Sequence, residues 1–225
     1  WAIDVEKALQ NSRCSLVVLW IESPGGSVTE TILLTHKLKV FQKKYNKEIF
    51  VTPTQVKSEI KALLEFLQEK KLKYILEIGT YMGSSLFLFS QIITEDSIII
   101  SIDLPGGSHG GGYPRWRIPI YKSFPLLKDK LFLIGKNSHK LSTFNKVKKI
   151  LKHNKFDFIF IDGDHSYNGV FRDITISLLK LKKKGVIAGD DYNHPPEEGL
   201  REAVREIFGE NNIKTAASFW IYNGN

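Results

Sequence analysis

FDFIFIDGDHSYNGV, residues 156–170, decides the fold. Its first six residues are apolar except Asp157, and the run stops abruptly at Asp162, Gly163, Asp164 and His165. A short run rich in Phe and Ile, without regular polar alternation, suits a strand buried on both faces. GVIAGDDYN, residues 185–193, repeats the pattern and ends in the acid pair Asp190–Asp191. Two buried strands that place carboxylates at their ends pose the functional question directly: metal ligands, acid and base, or helix caps.

Upstream, the same alternation continues. YILEI (74–78) is followed by the helical SSLFLFSQII (84–93), then SIIISI (97–102), a glycine-rich loop, LFLI (131–134) and the helical LSTFNKVKKILKH (141–153). Downstream, VFRDITISLLKLKKK (170–184) reads as a helix, EEGLREAVREIFGE (197–210) as an amphipathic helix, and AASFWIYNG (216–224) as a last strand. Strands alternating with helices imply right-handed crossovers and a mainly parallel sheet. The predicted class is therefore α/β: a Rossmann-like, mainly parallel central sheet flanked by helices, with an antiparallel C-terminal strand. TPTQVKSEIKALLEFLQEKK (52–71) predicts a further helix, with Thr52 as cap, Pro53 in the first turn and Gln55 closing a capping box. Residues 104–121 are too long and too glycine-rich for a mere connector, and loops of that kind serve as lids or binding loops.

The chain has 225 residues, 42% hydrophobic and 25% charged, which suits a globular protein of one medium domain or a domain with an appendage. No apolar stretch approaches a membrane span and the first residues do not read as a signal peptide, so a cytoplasmic location is expected. The lone cysteine, Cys14, excludes an internal disulfide. The net charge of +8 comes largely from lysine runs such as KVKKILKHNK and LKLKKKG at apparent helix ends, where lysines complement the helix dipole and face water. With no zinc-finger spacing and no dense arginine patch, nucleic acid is not the expected partner.

In an open parallel sheet, ligands bind outside the carboxyl ends of the strands. This chain puts its polar residues there: Glu77, Gly79, Tyr81, Gly83 and Ser85 after the first strand, Asp103 at the end of the second, Asn137 and Ser138 after the third. Asp162, Asp164 and His165 follow the fourth, and Asp190 and Asp191 the fifth. EIGTYMGSS is neither a phosphate-binding Gly-Lys-Ser/Thr loop nor G-x-G-x-x-G. Beside that turn, Asp103 stands where an acid accepts hydrogen bonds from both hydroxyls of a ribose.

ILEIGTYMGSS (75–85), IDLPGG and GGGYPRWRIP in the loop, FIDGDHSYNGVFRDI and GVIAGDDYNHP occur in the order found in class I S-adenosylmethionine-dependent methyltransferases. Residues from about 50 to 225 resemble that superfamily, and most of all its branch of catechol and macrocin-type O-methyltransferases and cephalosporin hydroxylase-like proteins. The resemblance implies that Gly79 and Tyr81, with Gly83 in the same turn, lie against the methionine part of the cofactor, with Ser85 near its carboxylate. Glu77 would order the turn, Asp103 hold the ribose, and Asn137 and Ser138 border the adenine. Asp162, Asp190 and Asp191 would occupy the divalent-metal positions. Three converging carboxylates repel unless a cation joins them or one stays protonated, and an all-oxygen set suits Mg²⁺. Without thiolates or clustered imidazoles, zinc fits less well. The capping alternative expects Asp164 to cap the following helix, and Asp190 or Asp191 the one after His194–Pro195–Pro196.

His165, three residues beyond Asp162, falls where the resemblance places the catalytic lysine of the catechol enzymes. A histidine can take a hydroxyl proton near neutral pH, although His165 could equally be a loop residue behind the metal. His139 and His194 read as structural or substrate-facing. In the glycine-rich loop, Tyr113 and Trp116 could stack on a planar or sugar ring, and Arg117 could meet an anion.

The expected function is a Mg²⁺-assisted O-methyltransferase for a small hydroxylated acceptor, a sugar or natural product. The alternatives are a non-methylating module or partner subunit that keeps the cofactor fold, and a nucleic-acid methyltransferase. Residues 1–50 are expected to form a strand–turn–helix appendage that packs on the main domain, 51–225, or mediates self-association. Within them, SLVVLWIESPGGSVTE (15–30) resembles the oxyanion turn of Clp and signal-peptide-peptidase enzymes at Gly25 and Gly26, without an accompanying serine nucleophile or basic partner.

Overall fold

The computed structural model describes residues 2–11, 16–20, 41–46, 48–52, 57–81, 83–107, 111–115, 118–122, 124, 130–195, 197–216 and 218–224. The chain forms two compact units, Trp1–Ser58 and Glu59–Asn225. In the first, helix α1 (Ala2–Gln10) precedes two strands, β1 (Leu16–Trp20) and β2 (Glu48–Thr52), which pair in parallel from Leu16↔Glu48 to Trp20↔Thr52. Glu6 on α1 accepts from both Lys44 Nζ and Tyr45 Oη, which tethers residues 41–45, a helical stretch, to that helix. The oxyanion-like turn at Gly25 and Gly26 and the capping residues Pro53 and Gln55 lie outside the described residues.

The second unit begins inside α2 (Lys57–Gln68) and is built on a seven-stranded sheet. Its strands are β3 (Tyr74–Ile78), β4 (Ile98–Asp103), β5 (Leu131–Gly135), β6 (Phe156–Ile161), β7 (Leu181–Gly189), β8 (Ile213–Ala216) and β9 (Phe219–Asn223), in the order β5-β4-β3-β6-β7-β9-β8. The first five are mutually parallel; β9 joins β7 antiparallel, and β8 pairs antiparallel with β9. The chain runs outward from β3 to β5, then returns to lay β6 on the other side of β3, so β3 and β6 flank the switch point where such sheets bind ligands. Helices α3 (Ser84–Ser90), α4 (Ile118–Lys122), α5 (Leu141–Leu151), α6 (Tyr167–Leu178) and α7 (Glu198–Phe208) complete the unit.

Register brings the strand ends level. Ile78 pairs with Ile102 on one side and Ile161 on the other, Asp103 pairs with Gly135, and Ile161 with Gly189. Gly79, Asp103, Asp162 and Asp190 therefore emerge at one edge of the sheet. The apolar runs form the core as expected: Ile75, Leu76, Ile99, Ile100, Phe158, Ile159, Phe160 and Ile187 are all buried. Phe89 of α3 meets Phe158 and Phe160 edge-on at 5.2 and 5.1 Å, contacts worth about 0.5–1.5 kcal/mol each beyond their burial.

Two expectations are corrected. The helix read through residue 184 stops at Leu178, and Leu181–Lys184 open strand β7. Lys182 Nζ reaches Asp157 Oδ1 at 2.6 Å, and the extra residues form an irregularity between the pairs Phe156↔Leu181 and Phe158↔Val186, with Lys184 at φ 64°. The C-terminus supplies two antiparallel strands rather than one, because the polar-alternating Ile213–Ala216 adds an edge strand to β9.

Gly79 fixes how closely β3 and β6 approach at the switch point. Its φ is +86°, and a Cβ there would lie 1.9 Å from the Asp162 carbonyl oxygen. Gly79→Ala combines backbone strain with a backbone clash, and is expected to destabilise the fold by about 3 kcal/mol or more. Urea unfolding measures this, and a loss below about 1 kcal/mol would show that the crossing is looser than described.

Candidate functional site

The site is organised around Glu77, which sits in the centre of the sheet with no exposure. Its Oε1 accepts from Ser85 Oγ at 2.7 Å, and its Oε2 from Thr80 Oγ1 at 2.8 Å and Ser101 Oγ at 2.7 Å. Burial pushes the Glu77 carboxyl up to about 7, against the three hydroxyls that favour its charged form. Ser85 thus ties the start of α3 to Glu77. The Tyr113 phenol enters the same group, 2.8 Å from Ser101 Oγ and 3.0 Å from Thr80 Oγ1. Through this hydroxyl Tyr113 pins the glycine-rich loop onto the Glu77 network, while the residue also lines the cavity described below. Trp116 and Arg117 lie outside the described residues.

Gly83, at φ +82°, leads into α3, and a Cβ there would meet the Tyr121 ring at 2.5 Å. Tyr121 Oη in turn donates to the Tyr81 carbonyl at 3.0 Å. Tyr81 is itself left-handed, at φ 47°, with its side chain 47% exposed at the sheet edge. Its backbone N–H donates to Asp103 Oδ2 at 3.2 Å, so the turn and the second strand end are joined through the carboxylate. Asp103 also accepts from Gly112 N on Oδ2 at 2.8 Å and from Leu104 N on Oδ1 at 3.1 Å. A Cβ at Gly111 would come within 2.9 Å of Asp103 Oδ1, which explains the glycines where the loop crosses this acid. Beside it opens a cavity of about 540 Å³, lined by Pro105, Gly112, Tyr113, Leu133 and Gly135 among others. Past β5, Asn137 Oδ1 accepts from His139 N at 2.7 Å, and Ser138 lies half-buried between them.

At the ends of β6 and β7 the structure regroups the expected metal residues. Among the described residues, Asp162, His165 and Asp191 offer ligating atoms that all lie within 4.8 Å of one another. Asp190 stands apart from this group: its Oδ1 accepts from Ser218 Oγ at 2.6 Å and from Asp191 N at 2.8 Å. His165 Nε2 faces Asp162 Oδ1 at 3.4 Å, while Nδ1 faces Asp191 Oδ2 at 3.5 Å and Glu197 Oε1 at 3.4 Å. The Asp162 interaction, with Asp191 and Glu197 adding to it, raises the imidazole to about 9 and so favours its charged form. Burial pushes Asp162 up to about 6 despite His165, with Asp190 and Asp191 adding repulsion; burial and Asp190 also raise Asp191. A proton on His165 would offset the charge of the three acids that face it, Asp162, Asp191 and Glu197. Two carboxylates and an imidazole also fit a divalent metal once that proton leaves, and the nitrogen donor widens the choice beyond Mg²⁺.

Capping is settled differently from the expectation. Ser166 caps α6, accepting from Gly169 N at 3.1 Å, and Asp164 Oδ1 holds the Ser166 N–H at 2.9 Å. Neither Asp190 nor Asp191 caps α7, whose N-cap position is Glu197. His194 takes part through its backbone: its N–H donates to the Asp191 carbonyl, and its carbonyl accepts from Arg201. Glu197 was not singled out by sequence, and the run PPEE gives no sign of which acid turns inward.

The chain matches the family model described as "Methyltransferase domain" over residues 76–192, more than half its length, which takes in every strand end from Glu77 to Asp191. It belongs to this methyltransferase family, and is an S-adenosylmethionine-dependent methyltransferase of class I fold. The solved structures it resembles include CalS11, a TDP-rhamnose 3'-O-methyltransferase of calicheamicin biosynthesis (14% identity, TM-score 0.60, 99% of this chain and 92% of that one). Another is an O-methyltransferase from Bacillus cereus in complex with SAH (18% identity, TM-score 0.55, 90% of this chain and 92% of that one). At these identities the likeness shows the fold. No curated protein matches the sequence. Neither comparison supports the peptidase-like reading of residues 15–30. Among the described residues, no helix is long and apolar enough to cross a membrane.

The buried Glu77 carboxyl has a folded pKa above its unfolded value, so the native state holds the extra proton. Its contribution to stability is present below about 4.5 and lost as pH rises to about 7. Between those limits the stability difference between wild type and Glu77→Gln should shift by about 3 kcal/mol in the variant's favour. Urea titrations at both pH limits check this, and a difference independent of pH would contradict it.

Proposed function

We propose that the protein transfers the methyl group of S-adenosylmethionine to a hydroxyl of a small acceptor, with a divalent cation assisting at Asp162 and Asp191. One observation carries the reading: an acid beside a glycine turn, Asp103, and a titratable acid–imidazole cluster stand at one edge of one parallel sheet. Two of the similar structures bear O-methyltransferase names, one of them acting on a deoxysugar nucleotide, which supports oxygen as the target and a sugar or similar natural product as the acceptor.

S-adenosylmethionine held there would supply an electrophilic methyl group, with the sulfonium sulfur as the leaving group in the form of a neutral thioether. The chain's part is to bind, orient and handle one proton. Asp103 would receive the ribose hydroxyls, Gly79, Tyr81 and Gly83 shape the turn beside the amino-acid part, and Asn137 and Ser138 border the base. The Asp162–His165 pair would take the acceptor's proton. A cation on Asp162 and Asp191 would displace the proton that those acids favour on His165, which leaves the imidazole as the member able to take the acceptor's proton. A cation held by Asp162 and Asp191 would lower the pKa of a hydroxyl placed against it. Residues 1–50 are assigned as an appendage to a methyltransferase domain over 51–225, and a single cysteine suits a cytoplasmic setting.

Titration calorimetry with S-adenosylmethionine, on wild type and Asp103→Ala, tests the reading. Micromolar binding that weakens at least about tenfold in the variant is expected, since a charged hydrogen-bond partner is worth about 1.5–3 kcal/mol. Mg²⁺ should bind wild type and not Asp162→Asn. Failure of wild type to bind the methyl donor, with or without Mg²⁺, would overturn the assignment.

A further inference from the structure

Outside the cluster described above, one buried charge has no evident task. Asp173, on the inner face of α6, is 1% exposed, and among the described residues neither of its carboxylate oxygens has a hydrogen-bond partner. Ser177 Oγ, one turn further along the helix, is likewise buried and has no partner among the described residues. The group facing Asp173 is His139, whose Nε2 lies 3.3 Å from Oδ1, close enough for an ion pair but short of hydrogen-bond alignment. A carboxylate taken out of water this completely needs a countercharge.

His139 belongs to the segment that follows β5. Its backbone N–H holds Asn137 Oδ1 at 2.7 Å, and Thr143 Oγ1 holds the Asn137 carbonyl at 2.7 Å. Asp173 also underlies the turn after β6, since a Cβ at Gly163 would lie 3.7 Å from its Oδ2. The pair therefore ties the segment carrying Asn137 and Ser138 to the helix behind the Asp162–His165 turn.

We propose that His139 and Asp173 are positioning residues of the cofactor site: the buried ion pair fixes residues 136–140, and with them Asn137, for binding of the adenosyl group. The inference rests on the assignment of Asn137 and Ser138 to that group. It also makes cofactor affinity sensitive to the charge on His139. Asp173 raises the imidazole above its usual range, with Asp164 adding to this and Arg172 opposing it; Lys136 and Lys140 flank it along its own segment. The ion pair holds at and below the ordinary histidine range and is lost as pH rises through the raised value.

The test is the affinity for S-adenosylhomocysteine, measured calorimetrically from about pH 6 to about pH 9 on wild type, His139→Gln and Asp173→Asn. Because Glu77, Asp162 and His165 also titrate in this range, the readout is the difference between the wild-type and variant curves. Wild type should bind at least about fivefold more tightly than His139→Gln at the acid end, and the two should converge at the alkaline end. The C2–H resonance of His139 should titrate above the ordinary histidine range in wild type and return to it in Asp173→Asn, which is independent of any ligand. If Asp173→Asn does not fold, His139→Gln carries the test. A His139→Gln curve that parallels wild type, while Asp103→Ala abolishes binding, overturns this inference and leaves the cofactor assignment standing. Wild type that binds no S-adenosylhomocysteine removes both.

Discussion

A carboxylate in the middle of a parallel sheet sets the terms for everything around it. Glu77 has no water, so every lone pair must find a protein hydrogen, and three hydroxyls from Thr80, Ser85 and Ser101 answer. Those hydroxyls come from the turn after β3, the start of α3 and the middle of β4. Satisfying one buried acid therefore fixes the turn against both neighbouring elements, and Tyr113 extends the same network into the glycine-rich loop. The loop then crosses Asp103 with Gly112 N–H on its carboxylate, so the two acids at the ends of β3 and β4 are mechanically linked. Gly79 and Gly83 are needed because the backbone must turn left-handed there and leave room for Asp162 and Tyr121.

The other end of the site obeys the opposite rule. Around Asp162, Asp190, Asp191 and Glu197 the negative charge is crowded rather than buried alone, and His165 lies among them as the compensating cation. Two of the three carboxylates that face His165, Asp162 and Asp191, also offer atoms that could hold a divalent ion, so imidazolium and metal would be alternatives at one position. Such an exchange would link metal binding to the protonation of the base candidate.

The strands were legible because double-sided burial leaves long apolar runs, and the strand-end residues because they follow those runs directly. Asp103 and Asp162 stand at one edge of the sheet, whereas Glu77, read as following the first strand, lies inside β3 and is fully buried. What could not be read depends on partners distant in sequence. The lysines at 182–184 continue a helical pattern, but Asp157, 25 residues before Lys182, draws that lysine into a strand. Asp164 looks like the cap of α6, yet Ser166 competes for the role and wins by position. The tie between the Tyr113 hydroxyl and the network around Glu77 likewise joins residues distant in sequence. Glu197, and the approach of His139 to Asp173, have no local signature at all.

The central claim is that the level strand ends from Gly79 to Asn137 hold the adenosyl and amino-acid parts of a methyl donor. A crystal structure of the chain with S-adenosylhomocysteine tests it most directly. Density running from the Gly79 turn, across the Asp103 carboxylate, to the Asn137–Ser138 segment is the predicted result. Ligand density elsewhere, with Asp103 still held by Gly112 N–H and no nucleoside beside it, would contradict it.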